Sequence, residues 1–186
     1  MSTMKSIDIV FPKNNEEAFI KTAKALGTKE LIFLYPFTTY QQKTFNEKDI
    51  TIKTGICALP KQVRDAKKKA EIVVVKAAGE TDLHTLEHFP PTIMYGFEFS
   101  ERKDFMHHRN SGMNHMHAAM MAEKNVIYAF PVVQLINAEE KFKGEIVGRL
   151  RQNMELAKKY KVKVILASFA SDPLDMRNGK DIWCLV

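Results

Sequence analysis

Short β-branched and aromatic runs alternate with amphipathic stretches along nearly the whole chain, and this alternation limits the fold more than any other feature. The runs fall at 7–11, 31–37, 50–59, 71–76, 92–97, 126–130 and 162–167. A weaker one lies at 103–106, and a last apolar run at 182–186. Ile72-Val73-Val74-Val75 is an unbroken β-branched run, which fits a strand buried on both faces, as in parallel sheets. Between the runs, Phe19, Ala23 and Leu26 recur at helical spacing, with Asn14, Asn15, Glu16 and Glu17 at the start and Gly27 as the stop. Pro60 opens a second helix with Val63, Ala66 and Ala70 on one face, and Lys67, Lys68 and Lys69 on its wet side. Further helices are expected at 81–88, 112–124 and 139–160, with a short one at 172–176. The long helix carries Phe142, Ile146, Val147, Leu150, Met154 and Ala157 on one face.

Strand–helix alternation with seven or eight strands predicts an α/β fold, a mostly parallel sheet closing into an irregular or incomplete TIM-like barrel. The connection at 38–49 has no helical period, so a helix is expected to be missing there. An open doubly wound sheet is the alternative, but the chain has neither GxGxxG nor a Walker A loop. The 186 residues suffice for one core, so a single domain over 1–186 is expected.

No apolar run reaches membrane-spanning length, and residues 1–5 lead straight into the first strand-like run without a signal-peptide pattern. A cytoplasmic protein with no membrane partner is the expectation. Cys57 and Cys184 sit in apolar surroundings and read as two buried thiols. The net charge of +6 points to an anionic partner, of which nucleic acid is the commonest.

The stretch 105–117, Phe-Met-His-His-Arg-Asn-Ser-Gly-Met-Asn-His-Met-His, joins a weak strand to a helix. Ser111 can cap that helix, and its first-turn N–H groups together with Arg109 would favour a phosphate. A helical wheel puts Met113, Met116, His117, Met120 and Met121 on one face and His115 opposite, beside Ala118, Ala119 and Ala122. His117 therefore packs in or beside the core. His115 either faces solvent on an ordinary helix or stacks on a base or bonds a phosphate. His107, His108, His115 and His117 raise a metal site, but no carboxylate recurs beside them at ligand spacing and the wheel splits the HxH pair. His84 and His88 lack the glutamate of a zinc protease and read as a polar helix face.

In the stretch 163–181, Ser168 and Ser171 can meet phosphate or backbone after a strand end, the functional side of a barrel. Arg177 and Lys180 are cations three apart in a glycine-containing loop, or simply surface ion-pair formers beside a helix capped by Ser171 and Asp172. No nucleophile–base constellation and no GxSxG is present.

Two segments together carry a resemblance. Arg109-Asn110-Ser111-Gly112-Met113-Asn114-His115, followed by Ala122-Glu123-Lys124-Asn125-Val126, resembles the first signature of ribonuclease P protein component 3, the archaeal counterpart of the thirty-kilodalton subunit of the nuclear enzyme. Ser168-Phe169-Ala170-Ser171 through Asp175-Met176-Arg177-Asn178-Gly179-Lys180-Asp181-Ile182 resembles the second. Ile9-Val10-Phe11-Pro12-Lys13-Asn14-Asn15-Glu16-Glu17 and Asp104 are compatible, and the matches run in family order over nearly the whole chain.

The resemblance implies an irregular TIM-like barrel related to PHP metal-dependent phosphoesterases. Those enzymes ligate metal with an HxH near the N-terminus, where this chain reads Ile7-Asp8-Ile9-Val10-Phe11. It further implies an RNA-contacting protein subunit of ribonuclease P that supports 5′-leader removal from precursor tRNA and is not itself catalytic. By position, Arg109, His115, Lys124, Lys161 and Arg177 would contact RNA or a partner. His108 would stand where relatives carry a basic residue, and Lys13 and Lys180 would complete the set. The protein would bind no cofactor of its own, with magnesium on the partner RNA. Its partners would be ribonuclease P RNA, precursor tRNA and other protein subunits, especially component 2. Relatives continue through another helix after the position of Val186, so component 2 is expected to cover the apolar surface left there. The rival readings are a PHP-like phosphoesterase with a relocated metal site at His107, His108 and His115, and a barrel that binds some other structured RNA.

Overall fold

The computed structural model describes residues 6–100, 103–104 and 106–184. Seven strands form in chain order: β1 (Ile7–Val10), β2 (Glu30–Pro36), β3 (Thr51–Ala58), β4 (Ile72–Lys76), β5 (Ile93–Tyr95), β6 (Ile127–Pro131) and β7 (Val164–Ala167). They make one sheet in the order β1 to β7, and every neighbouring pair is parallel. The sheet closes where β1 meets the residues after β7. Phe169 N donates to Ile9 O and Phe11 N to Ala170 O, both at 2.8 Å.

Side-chain alternation builds two kinds of core. Ile9, Ile32, Leu34, Val74, Tyr95 and Ala129 pack together inside the barrel, whereas Val10, Leu31 and Phe33 face outward onto a helix. β4 shows why its run is uninterrupted: Ile72 and Val74 belong to the inner cluster, Val73 and Val75 to the outer one. Gly55 of β3 lets the two strands approach, because a Cβ there would lie 2.8 Å from Ile72 O.

The outer layer holds α1 (Glu16–Ala25), α2 (Val63–Lys69), α3 (Asp82–His88), α4 (His115–Glu123), α5 (Val132–Ile136), α6 (Glu140–Tyr160) and α7 (Gly179–Trp183). No helix lies between β2 and β3, as the aperiodic connection suggests. The buried stripe of α6 includes Ile146, Leu150 and Ala157, packed with Tyr128, Phe130 and Leu166. No helix among the described residues is long and apolar enough to cross a membrane.

Four local expectations are corrected. The last apolar run is helical rather than extended, because Asn178 Oδ1 accepts from Lys180 N at 2.8 Å and starts α7; residues 185 and 186 lie outside the described set. Cys184 is consequently exposed rather than buried. Lys103, Asp104 and Met106 are not in a strand, and Phe105 lies outside the described residues. The helix expected from 112 begins at His115, because Asn114 is its cap: its Oδ1 accepts from Met116 N at 2.9 Å and His117 N at 3.1 Å.

Candidate functional site

The loop between β5 and α4 leaves the carboxyl rim of the barrel, the edge at which such folds place function. It has little secondary structure of its own and is held from beneath by buried polar groups. Arg149, 3% exposed on α6, donates from Nε to Asp104 at 2.8 Å, and from Nη1 to Ser100 O at 2.8 Å and Glu98 O at 3.2 Å; it also pairs with Glu145. Asp104 accepts in addition from Asn110 N at 2.8 Å and from Arg109 at 3.2 Å. Burial opposes ionisation of Asp104, but the donors from Arg149 and Asn110 outweigh it and hold the carboxyl below its ordinary range. Gln152 reaches Arg109 O and Ser111 Oγ, and Asn153 reaches Ser111 O, at 3.0, 2.8 and 3.0 Å.

Glu98 lies at the bottom of this network, fully buried, accepting from Tyr128 OH and, at 2.7 Å, from Asn153 Nδ2. Its Oε2 has no hydrogen-bond partner among the described residues. Burial, only partly offset by the donors from Tyr128 and Asn153, pushes its carboxyl up to about 7. Gly112 completes the loop with φ +75°, where a Cβ would lie 2.2 Å from Phe97 O.

On this frame His108, Arg109 and His115 are exposed around one pocket of about 390 Å³, with the α4 amino end beside them. The Arg109 guanidinium lies against Gly148 of α6, where a Cβ would come within 2.3 Å of it. The expected helix face of α4 is revised: His117, Ala118 and Met121 are buried, whereas Met116 is 47% exposed. His117 does pack in the core. Its Nδ1 lies 2.9 Å from Asn114 Oδ1, its ring meets Phe97 edge-on at 6.0 Å, and burial holds the imidazole below its usual range. Ser111 is no helix cap; it is buried and donates to Met113 O at 3.2 Å.

The other sequence candidates do not join this cluster. Lys124 and Lys161 follow α4 and α6 at the opposite edge, just before β6 and β7. Lys124 is ion-paired with Glu123 at 2.9 Å. Arg177 spends its guanidinium on Leu174 O and Met176 O, both at 2.9 Å, and Lys180 is exposed on α7. Lys13 is exposed just after β1.

Ser168 is not a phosphate ligand. It is fully buried, and its N and Oγ donate to Asp8 at 2.6 and 2.9 Å across the closing seam. Burial, countered in part by those donors, raises the Asp8 carboxyl to about 6. The sequence reading missed this clamp and the Glu98–Tyr128–Asn153 group. Asp8 and Glu98, acids inside apolar runs, were the available signal. Around the barrel mouth the inner residues include Phe11, Tyr95 and Phe169, with Tyr95 stacked on Phe169 at 4.5 Å. Among the described residues no three His, Cys, Asp or Glu side chains gather to hold a metal ion.

These features define a TIM-like, parallel seven-stranded α/β barrel with a polar rim loop held by buried side chains. No family model matches the chain. Its sequence resembles ribonuclease P protein component 3: the proteins of that name from Methanosarcina barkeri and Methanosarcina acetivorans are each 30% identical over 88 residues, 45% of this chain and 37% of each relative. The chain thus matches just over a third of the length of those relatives. A chain in the structure of archaeal ribonuclease P with mature tRNA superposes with a TM-score of 0.71 at 20% identity, covering 94% of this chain and 78% of that one. Histidinol phosphate phosphatase from Lactococcus lactis, solved with zinc, L-histidinol and phosphate, superposes with a TM-score of 0.64 at 12% identity, covering 96% and 92%. At these identities the two structural likenesses establish the fold alone, a TIM-like α/β barrel.

Proposed function

We propose that this chain is an RNA-contacting protein subunit of ribonuclease P, supporting removal of the 5′ leader from precursor tRNA without performing the chemistry. The observation that carries this reading is the rim loop: His108, Arg109 and His115 stand exposed round one pocket on a backbone fixed by Asp104, Arg149, Gln152 and Asn153. A fixed cation pays less conformational entropy on meeting a phosphate than a free one. The sequence similarity to ribonuclease P protein component 3 supports the reading. In it, catalysis belongs to the partner RNA and its magnesium ions, and the protein lowers the repulsion between backbone phosphates. Component 2 is the proposed protein partner, and the cytoplasm the proposed location.

The aromatic inner residues of the mouth favour this over the phosphoesterase alternative, which needs metal ligands at such positions. The test is affinity for ribonuclease P RNA against a control RNA of equal length, titrated in salt, with metal content measured on the same sample. Selective, salt-dependent binding is expected. Arg109→Ala should lower the slope of log affinity against log salt by about 1, and His115→Ala should weaken affinity. Equal affinity for both RNAs, or stoichiometric zinc or manganese with phosphoester hydrolysis, would overturn it.

A further inference from the structure

Away from the rim loop, one concentration of positive charge lies on the segment entering and forming α2. Residues 61–69 carry Lys61, Arg64, Lys67, Lys68 and Lys69 against one carboxylate, Asp65: net +4 in nine residues of a chain whose whole charge is +6. All five cations are exposed, and Asp65 is taken by Lys68 at 2.8 Å. Helix stability does not account for this pattern. Lysines in the last turn suit the helix dipole, but Lys61 and Arg64 lie at the amino end, where the dipole repels cations.

Two aromatic rings hold cations in place without neutralising them. Arg64 lies over Phe89 at 5.6 Å and Lys69 over Phe37 at 4.4 Å. Arg64, Lys67 and Lys68 stand three and four positions apart, so they are surface neighbours about 5–6 Å apart along the helix. Next to Phe89, the exposed rings of His84 and His88 lie 4.4 Å from each other. A row of cations with a ring-supported guanidinium suits the closely spaced oxygens of a phosphodiester strand.

We propose that the exposed face of α2 and of the turn leading into it, centred on Lys61, Arg64 and Lys67, is a second contact for the RNA backbone, separated from the rim loop around the barrel by β4, α3 and β5. The proposal rests on the reading of the chain as an RNA-contacting protein. Because it concerns phosphates, it applies to any RNA the protein binds. A protein with contacts on two sectors of its surface spans its RNA rather than touching it at one point.

The test uses the full chain with Lys61→Gln, Arg64→Gln and Lys67→Gln combined, its fold checked by thermal melting. Affinity is titrated in salt against ribonuclease P RNA and an equal-length control. The slope of log affinity against log salt should fall by about 2 to 3 on both RNAs, with affinity near 0.1 M salt dropping on the order of tenfold or more. If the triple variant melts early, Lys67→Glu at one exposed position repeats the test, with an expected fall in slope of about 1 to 2. An unchanged slope on both RNAs overturns the α2 contact while leaving the rim loop untouched. So does a loss of binding to phosphatidylserine vesicles with RNA binding intact. A wild-type protein that prefers neither RNA overturns the subunit reading alone, and the slope change on the control RNA still decides the α2 contact.

Discussion

Glu98 is the group whose replacement says most about how the rim loop is held. A carboxyl raised from 4.5 to about 7 retains its proton in the folded protein at pH values where the unfolded chain has lost it. Folded Glu98 therefore binds more protons than unfolded Glu98 between those limits, and its contribution to stability falls as pH rises. The contribution is complete below about pH 4.5, declines by roughly 1.4 kcal/mol per pH step, and is gone above about pH 7, for a total of about 3 kcal/mol. In Glu98→Gln the side chain cannot ionise, while its oxygen can still accept from Tyr128 OH and Asn153 Nδ2. The variant should start only slightly less stable at pH 5, because its amide puts two N–H donors where the wild-type carboxyl puts one O–H, at a position with no partner. It should then lose much less stability than the wild type between pH 5 and 8. Urea melts at four pH values, with m held constant as a check on the two-state transition, measure both curves. If the variant falls with the same slope as the wild type, Glu98 is already ionised beside Arg149 and this account of the network is wrong.

Asp8 gives a second slope of the same sign, since its carboxyl rises from 3.8 to about 6: stability from this group is lost as pH climbs through about 6, and Asp8→Asn should remove that part of the pH dependence in the same melts. Gly112→Ala forces a Cβ to 2.2 Å from Phe97 O at a positive φ, so it should destabilise by more than about 1 kcal/mol and weaken RNA affinity through the displaced loop, read by melting and by titration. Asn114→Ala removes the α4 cap and the neighbour of His117 Nδ1, an expected loss of about 1 kcal/mol by urea melt. Arg149→Met strips the buried hub beneath Asp104, with an expected loss of about 3–5 kcal/mol; a change below about 1 kcal/mol would show that Asp104 and the carbonyls find water instead.

The barrel was legible because its signal is periodic. Ile72-Val73-Val74-Val75 had to be buried on both sides, and the unpatterned connection at 38–49 marked the missing helix. Short elements were not legible, since caps decide them. Asn114 and Ser111 are both good N-caps by composition, and only the approach of Gly112 to Phe97 O, a contact distant in sequence, places the helix start after Asn114. Likewise Ile182 and Trp183 have strand propensity, yet Asn178 starts a helix through them. The rim cluster of His108, Arg109 and His115 was legible because it lies within eight consecutive residues. Its support was not: Arg149 and Asn153 come from 45 and 42 residues further along, and they face the loop only because α6 packs beside it.

The division between a packed interior and an organised rim bears on what kind of protein this barrel makes. Chemistry on such a scaffold uses side chains at the carboxyl ends of the strands that point into the mouth. Here Phe11 meets Phe169 at 6.1 Å and Phe169 stacks on Tyr95 at 4.5 Å, so aromatic packing occupies that layer. Asp8, Glu98 and Arg149 lie elsewhere and face structure: Asp8 closes the seam through Ser168, and Glu98 and Arg149 anchor a surface loop. Burying a carboxyl that must keep its proton is costly, and such a cost is tolerated where it fixes a geometry the protein needs. What is fixed is the backbone from Arg109 to Ser111, beside which Arg109 and His115 are exposed. The buried side chains of Glu98, Arg149 and Asn153 thus serve to hold the exposed loop that carries Arg109.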